Sequence, residues 1–181
     1  METIDISPDV TIRYMPVDKS NTNRHEREQT AIRTLVNAAF GTGTSIRHHP
    51  TGAPYIAGRN ENISISHSSE YAALATAGPS VSIGIDVEKY REQLHRVASR
   101  VLSGPELEVY GKSSHLLLKA WTMKEAVYKA ALIPGLIFAS DINLPLQEES
   151  DTTVNVRGRS FKCHFLNIGP DTLICTAVSQ T

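Results

Sequence analysis

The chain has little that would commit it to a special environment. Two cysteines in 181 residues are too few for a disulfide-built domain. Cys163 and Cys175 both fall in strand-like C-terminal segments, where two buried free thiols are expected. Neither has a histidine at metal-ligand spacing. Charge of one sign is missing too: 18 Lys and Arg face 19 Asp and Glu, a net −1. No global field therefore draws the chain to nucleic acid or to a membrane, and any anion site has to be local. No run approaches the roughly 18 apolar residues of a membrane span, and METIDISPDV at the start lacks a signal-peptide pattern. A cytosolic protein with no nucleic-acid or membrane partner is the expectation. Low-complexity stretches are few and sequence repeats absent. What remains is an ordinary globular composition, 40% hydrophobic and 20% charged, long enough for one domain or two small subdomains with a real core.

Along the chain, the alternation of VTIRYMPV (10–17) predicts a strand. A polar helix over about 23–40 follows, closed by Gly41 and Gly43. TSIRHHPTGAPYIAG predicts a short strand, a Pro-Thr-Gly turn and a second extended piece. NISISHSSEYAALATAG predicts a strand running into a small-residue helix, with Ser68 or Ser69 as N-cap and Glu70 in the first turn. SVSIGIDVEKY reads as a strand, residues 93–101 as a helix, and SGPELEVY as the start of another. LLLKAWTMKEAVYKAAL is a long helix stopped by Pro134-Gly135. SDINLPL, TVNVRG, SFKCHFLNI and TLICTAVS make three or four closing strands. The class is α+β. A loose echo of strands around one helix allows two similarly built subdomains, 1–90 and 91–181.

Three places carry chemistry. In SVSIGIDVE, Val81, Ile83, Ile85 and Val87 share one strand face, and Ser82, Gly84, Asp86 and Glu88 the other. Asp86 and Glu88 then stand about 7 Å apart, one strand repeat, with Gly84 keeping the approach open. Two acids fixed on one face raise each other's pKa, a cost that a hard divalent cation removes; solvated acids beside a turn are the plainer alternative. On the long helix, Trp121, Glu125 and Lys129 recur every four residues and share a face. Glu125 could add a third oxygen ligand, although a surface Glu125–Lys129 pair explains the spacing equally well. The third place is ISISHSSE, where His67 with Ser66 and Ser68 would meet a helix N-terminus suited to phosphate. Arg24, Arg27 and Arg33 on the first helix add bidentate phosphate donors or a solvated face. His48 and His49 read as loop residues without a partner.

GAPY, ISISHSSEYAALA, IGIDVE and WTMKEAVYKA, in this order and spacing, resemble the 4'-phosphopantetheinyl transferase superfamily, in particular its single-chain, surfactin-type (Sfp-type) branch. The resemblance spans about residues 24–142. It implies two pseudo-symmetric α+β halves, each a small mixed or antiparallel sheet packed on a long helix, with the active site in the cleft between them. It further implies Mg²⁺-dependent transfer of phosphopantetheine from coenzyme A to a serine of an apo acyl or peptidyl carrier protein, releasing adenosine 3',5'-bisphosphate. By motif, Asp86, Glu88 and Glu125 would hold Mg²⁺ against the pyrophosphate. Lys129, the last position of WxxKExxxK, would contact phosphate, and Lys124 would lie beside the substrate phosphates. His67, with Ser66, would contact the coenzyme A phosphates, and Arg33 best matches the basic residue of the first helix. Glu125, directly or through a water, would take the serine proton with Lys129 nearby. The pattern departs at Gly52-Ala53-Pro54: Gly52 and Pro54 keep the family's Gly-Lys-Pro frame around the nucleotide, but Ala53 replaces its lysine. A monomer is expected, because both halves of the site lie in one chain. Ala53 leaves a second reading, a non-catalytic member that binds coenzyme A or a carrier protein. A third is a different Mg²⁺-phosphate enzyme on the same fold.

Overall fold

The computed structural model describes residues 1–20, 23–147 and 152–180. β1 (Glu2–Ser7), β2 (Val10–Pro16), β5 (Asn62–His67) and β6 (Tyr71–Ala77) form an antiparallel sheet ordered β1-β2-β6-β5. α1 (Arg24–Phe40), N-capped by Asn23 and stopped at Gly41, covers one face of it. β3 (Ile46–His48) and β4 (Pro54–Ile56) make a small ribbon around the Gly52 turn, where φ is +87°. The second antiparallel sheet is ordered β7-β10-β9-β8, from β7 (Ile83–Lys89), β8 (Thr152–Val156), β9 (Arg159–Asn167) and β10 (Thr172–Ser179). α4 (Ser114–Ala131) covers this sheet, with α2 (Gln93–Val101), α3 (Gly104–Tyr110) and the one-turn α5 (Phe138–Asp141) beside it. The class is α+β, one long helix to each sheet. Among the described residues, no helix is long and apolar enough to cross a membrane.

The layers run α1, first sheet, second sheet, α4, and the strand alternation builds them. On β6, Ala72 and Leu74 face α1, whereas Ala73, Ala75 and Ala77 face the second sheet. On β7, Ile83, Ile85 and Val87 complete that inter-sheet core with Val10, Ile12 and Ile174. The sequence expectation of a helix at YAALATA is thereby corrected. This segment pairs with β2 on one side and β5 on the other, and its alanines let a central strand be covered closely on both faces. Ser68 imitates an N-cap because its Oγ accepts from the Glu70 and Tyr71 amides, but it closes a hairpin turn. The pattern also gave no sign of β1. SDINLPL is the end of α5 followed by one isolated bridge, Asn143 to Asn155, not a strand. Cys163 and Cys175 are buried free thiols.

β7 precedes Tyr90 in the chain, yet its ladder runs to β10 in the second sheet. Its other edge abuts β5 without a backbone ladder. The Ile85 amide donates to Ser64 Oγ at 3.0 Å and the Val87 amide to Ser66 Oγ at 3.1 Å. The ISIS alternation supplies both functions: isoleucines for the core under α1, hydroxyls for the buried edge amides of β7. The opposite face of β7 is covered by α4. A Cβ on Gly84 would collide with the Ala126 carbonyl oxygen and lie 2.6 Å from the Ala130 nitrogen. Gly84 thus admits a helix rather than a ligand, correcting the expectation of an open approach. Gly84→Ala is expected to push α4 off β7 and cost about 3 kcal/mol, measured as a lowered urea midpoint at unchanged m-value.

Candidate active site

Because α4 lies across β7, the carboxylates predicted for an open strand face are instead enclosed between strand and helix. Asp86 is 7% exposed. Its Oδ1 accepts from Ser66 Oγ and from Lys129 Nζ, both at 2.9 Å. Lys129 Nζ also donates to the Ile85 carbonyl at 3.0 Å. Asp86 Oδ2 is buried and has no hydrogen-bond partner. A buried, unpartnered carboxylate oxygen is costly unless something else satisfies it. Glu88, one strand repeat further, bonds Arg91 at 2.9 Å.

Glu125 lies one turn before Lys129 on α4 and is half-buried. Burial pushes its carboxyl up to about 7, Asp86 and Glu88 add to the rise, and Lys129 opposes it. Burial also raises Glu88, with Asp86 adding and Arg91 opposing. Three acids therefore share one field at the β7–α4 junction, and one of them is near half-protonation at neutral pH. Among the described residues, no three His, Cys, Asp or Glu side chains are gathered closely enough to enclose a metal ion by themselves. What fits a hard cation is the donor chemistry: an unsatisfied buried carboxylate oxygen on Asp86 and neighbouring acids that resist joint ionisation. The sign of the Glu125 effect is testable without a ligand. Its folded pKa lies above the unfolded value, so its contribution to stability is lost as pH rises from about 4.5 to about 7. Glu125→Gln is therefore expected to gain stability relative to wild type between about pH 5 and about pH 8, read by thermal denaturation without divalent cations.

Lys129 also joins this junction to a cleft of about 770 Å³, a size typical of small-molecule sites. Gln29 and Ile32 of α1, the β3–β4 turn with Gly52, Ala53 and Pro54, His67, and the C-terminal end of α4 with Tyr128 line it. His48 and His49, given no role from sequence, line it as well, and the His49 ring stacks on Tyr55 with centroids 4.4 Å apart. Since residues 68–77 do not form a helix, His67 ends a strand instead of leading into a helix N-terminus; its Nδ1 lies 3.3 Å from Glu28 Oε2. Ser66 points to Asp86 and β7. Arg33 is exposed on α1 and is not among the cleft-lining residues. Lys124 is turned away entirely: it is 0% exposed, with its ammonium on Glu106 at 2.8 Å and the Phe138 carbonyl at 2.7 Å. The structure thus brings Asp86, Glu88, Glu125, Lys129 and Ser66 to one junction, and of these five Lys129 alone reaches the cleft that Gly52, Pro54 and His67 line, leaving Lys124 and Arg33 outside both.

The family model of the 4'-phosphopantetheinyl transferase superfamily matches residues 82–177, more than half of the chain and all of the β7–α4 junction. The chain belongs to this superfamily. No curated protein matches it. Among solved structures it is similar in part to a crystal structure of Thermotoga maritima holo-[acyl-carrier-protein] synthase (AcpS), at 18% identity and a TM-score of 0.45, over 55% of this chain and 63% of that one. The chain therefore spans less than two thirds of that protein. The superfamily match begins at Ser82, so β5, the β3–β4 ribbon and α1, which wall the cleft, lie outside it. Three contributors there escaped sequence reasoning. Ser64 was visible only as half of the ISIS alternation, Tyr55 only as a residue after a turn, and Glu28 as one charge on a polar helix.

Proposed function

We propose that the protein transfers 4'-phosphopantetheine from coenzyme A to a serine of an apo acyl or peptidyl carrier protein, as a single-chain, Sfp-type member of its superfamily. The observation that carries this reading is Lys129, which contacts Asp86 at 2.9 Å and also lines the cleft. A phosphate-bearing ligand in the cleft would meet its ammonium where the acidic cluster begins. The halves are assigned as 1–90 and 91–181, with the first contributing β7 to the second sheet and the cleft running between them.

In the reaction, the carrier serine Oγ attacks the β-phosphorus of coenzyme A. The bond from that phosphorus to the bridging oxygen breaks, and adenosine 3',5'-bisphosphate leaves. Glu125, directly or through a water, takes the serine proton. Lys129 supplies positive charge and His67 a ring N–H donor to the phosphates, and catalysis is mostly positioning and electrostatics. Asp86 and Glu125, with Glu88, are the residues that would hold Mg²⁺, which when bound offsets the negative charge of the pyrophosphate oxygens. We expect the protein to act as a monomer in the cytoplasm, without nucleic acid or membrane.

Calorimetric titration of coenzyme A with and without Mg²⁺ tests the ligand half of this reading. Binding that tightens with Mg²⁺ in wild type but not in Asp86→Ala is expected. Absence of coenzyme A binding under both conditions would instead favour a different phosphate substrate. A non-catalytic role rests on Ala53 alone and predicts binding without transfer.

A further inference from the structure

Glu28 is a buried carboxylate that the proposed chemistry does not use. It lies 5% exposed on the core side of α1, on the helix face that also buries Ala31, Ile32, Leu35 and Val36. An acid in such company is costly unless its oxygens are engaged, and each has a basic side chain within ion-pair distance. Oε1 accepts from Arg24 Nε at 2.6 Å, and Oε2 lies 3.3 Å from His67 Nδ1. His67 reaches it because strand parity puts it on the α1 side of β5 with Ile63 and Ile65. The same imidazole lines the cleft. Nδ1 is the ring nitrogen set against Glu28 Oε2, so Nε2 is the nitrogen left for a ligand.

We propose that Glu28 is a positioning residue that holds the His67 ring with Nδ1–H on its carboxylate and Nε2 toward the cleft, while Arg24 tethers Glu28 from the solvent side. The ligand half of this inference rests on the proposed coenzyme A reading; the ring orientation does not. An imidazolium between a carboxylate and a phosphate donates from both nitrogens and satisfies both anions. Without Glu28 the ring is free to turn and presents either nitrogen, and the ligand has to select the productive one.

A double-mutant cycle on coenzyme A affinity, read by calorimetry with Mg²⁺ present, separates positioning from mere structure. Glu28→Ala is expected to weaken binding about tenfold in the wild-type background, and by less than about twofold in a His67→Ala background. Glu28→Gln, which can still accept the Nδ1–H, is expected to recover part of the loss. An equal weakening in both backgrounds would overturn the proposal, because Glu28 would then act through the fold. ¹⁵N NMR of the His67 ring in the unliganded protein gives a second readout. One tautomer, protonated at Nδ1, is expected in wild type and a mixture in Glu28→Ala; the same populations in both would overturn the pairing. Failure of wild type to bind coenzyme A would overturn the functional reading, and the ring signal would still decide the pairing.

Discussion

Asp86→Asn is expected to lower carrier labelling by about 10²–10³-fold, in line with the loss of one preorganised electrostatic group at a reaction centre. Asp86 has two duties that the variant separates. Its Oδ1 holds Ser66 and Lys129, and an asparagine oxygen can still accept from both. Its Oδ2 has no partner, and there a neutral NH₂ replaces an anionic oxygen that a cation could use. Side-chain shape is conserved while the charge is lost. If Asp86 were only a structural anchor for Lys129, activity well below the melting temperature would stay within about threefold of wild type. Initial rates of labelling at saturating coenzyme A decide between these outcomes, with circular dichroism confirming that the variant is folded.

Lys124→Ala is expected to cost about 3–5 kcal/mol, the penalty for stranding one partner of a buried ion pair. Glu106 would keep the Ser103 and Leu144 amides, each at 2.7 Å, but lose the Lys124 ammonium at 2.8 Å. Burial already pulls the Lys124 ammonium below its ordinary pKa, and Glu106 opposes that pull. The pair fastens α3 and the segment around Phe138 to α4, immediately beside Glu125. Replacing both partners, as in Lys124→Met with Glu106→Gln, should therefore restore most of the stability. Urea unfolding of the single and double variants measures this. Direct contact between Lys124 and substrate phosphate predicts the opposite pattern, weakened coenzyme A binding with little loss of stability.

Most of the architecture was legible because periodicity survives burial. α2 and α4 follow from their spacing and stop signals, and β7, β9 and β10 from their alternation. YAALATA misled because alanine favours a helix locally, whereas here its small side chains let a strand between two sheet neighbours be covered closely on both faces. Ser68 and Glu70 strengthened the error, since a serine that caps a helix and one that closes a hairpin use the same short hydrogen bonds. In the site, Asp86, Glu125 and Lys129 were readable from spacing because one strand and one helix set their order. Gly84 was noticed for the wrong reason: nothing in the sequence says that α4 passes over it. Lys124 sits beside Glu125 in the motif, but successive helix positions diverge by about 100°, so one faces the acidic junction and the other α3. The Glu28–His67 contact joins residues 39 apart on different elements, and only the packing of α1 on β5 brings them together.

The most direct test of the central claim is the mass of an apo carrier protein after incubation with this protein, coenzyme A and Mg²⁺, compared with samples lacking Mg²⁺ or carrying Glu125→Ala. The account predicts a gain of one phosphopantetheine on the carrier serine with wild type and Mg²⁺, and little or none in the other two samples. Unmodified acyl and peptidyl carriers from a wild-type protein that still binds coenzyme A would contradict it and leave a binding role in its place.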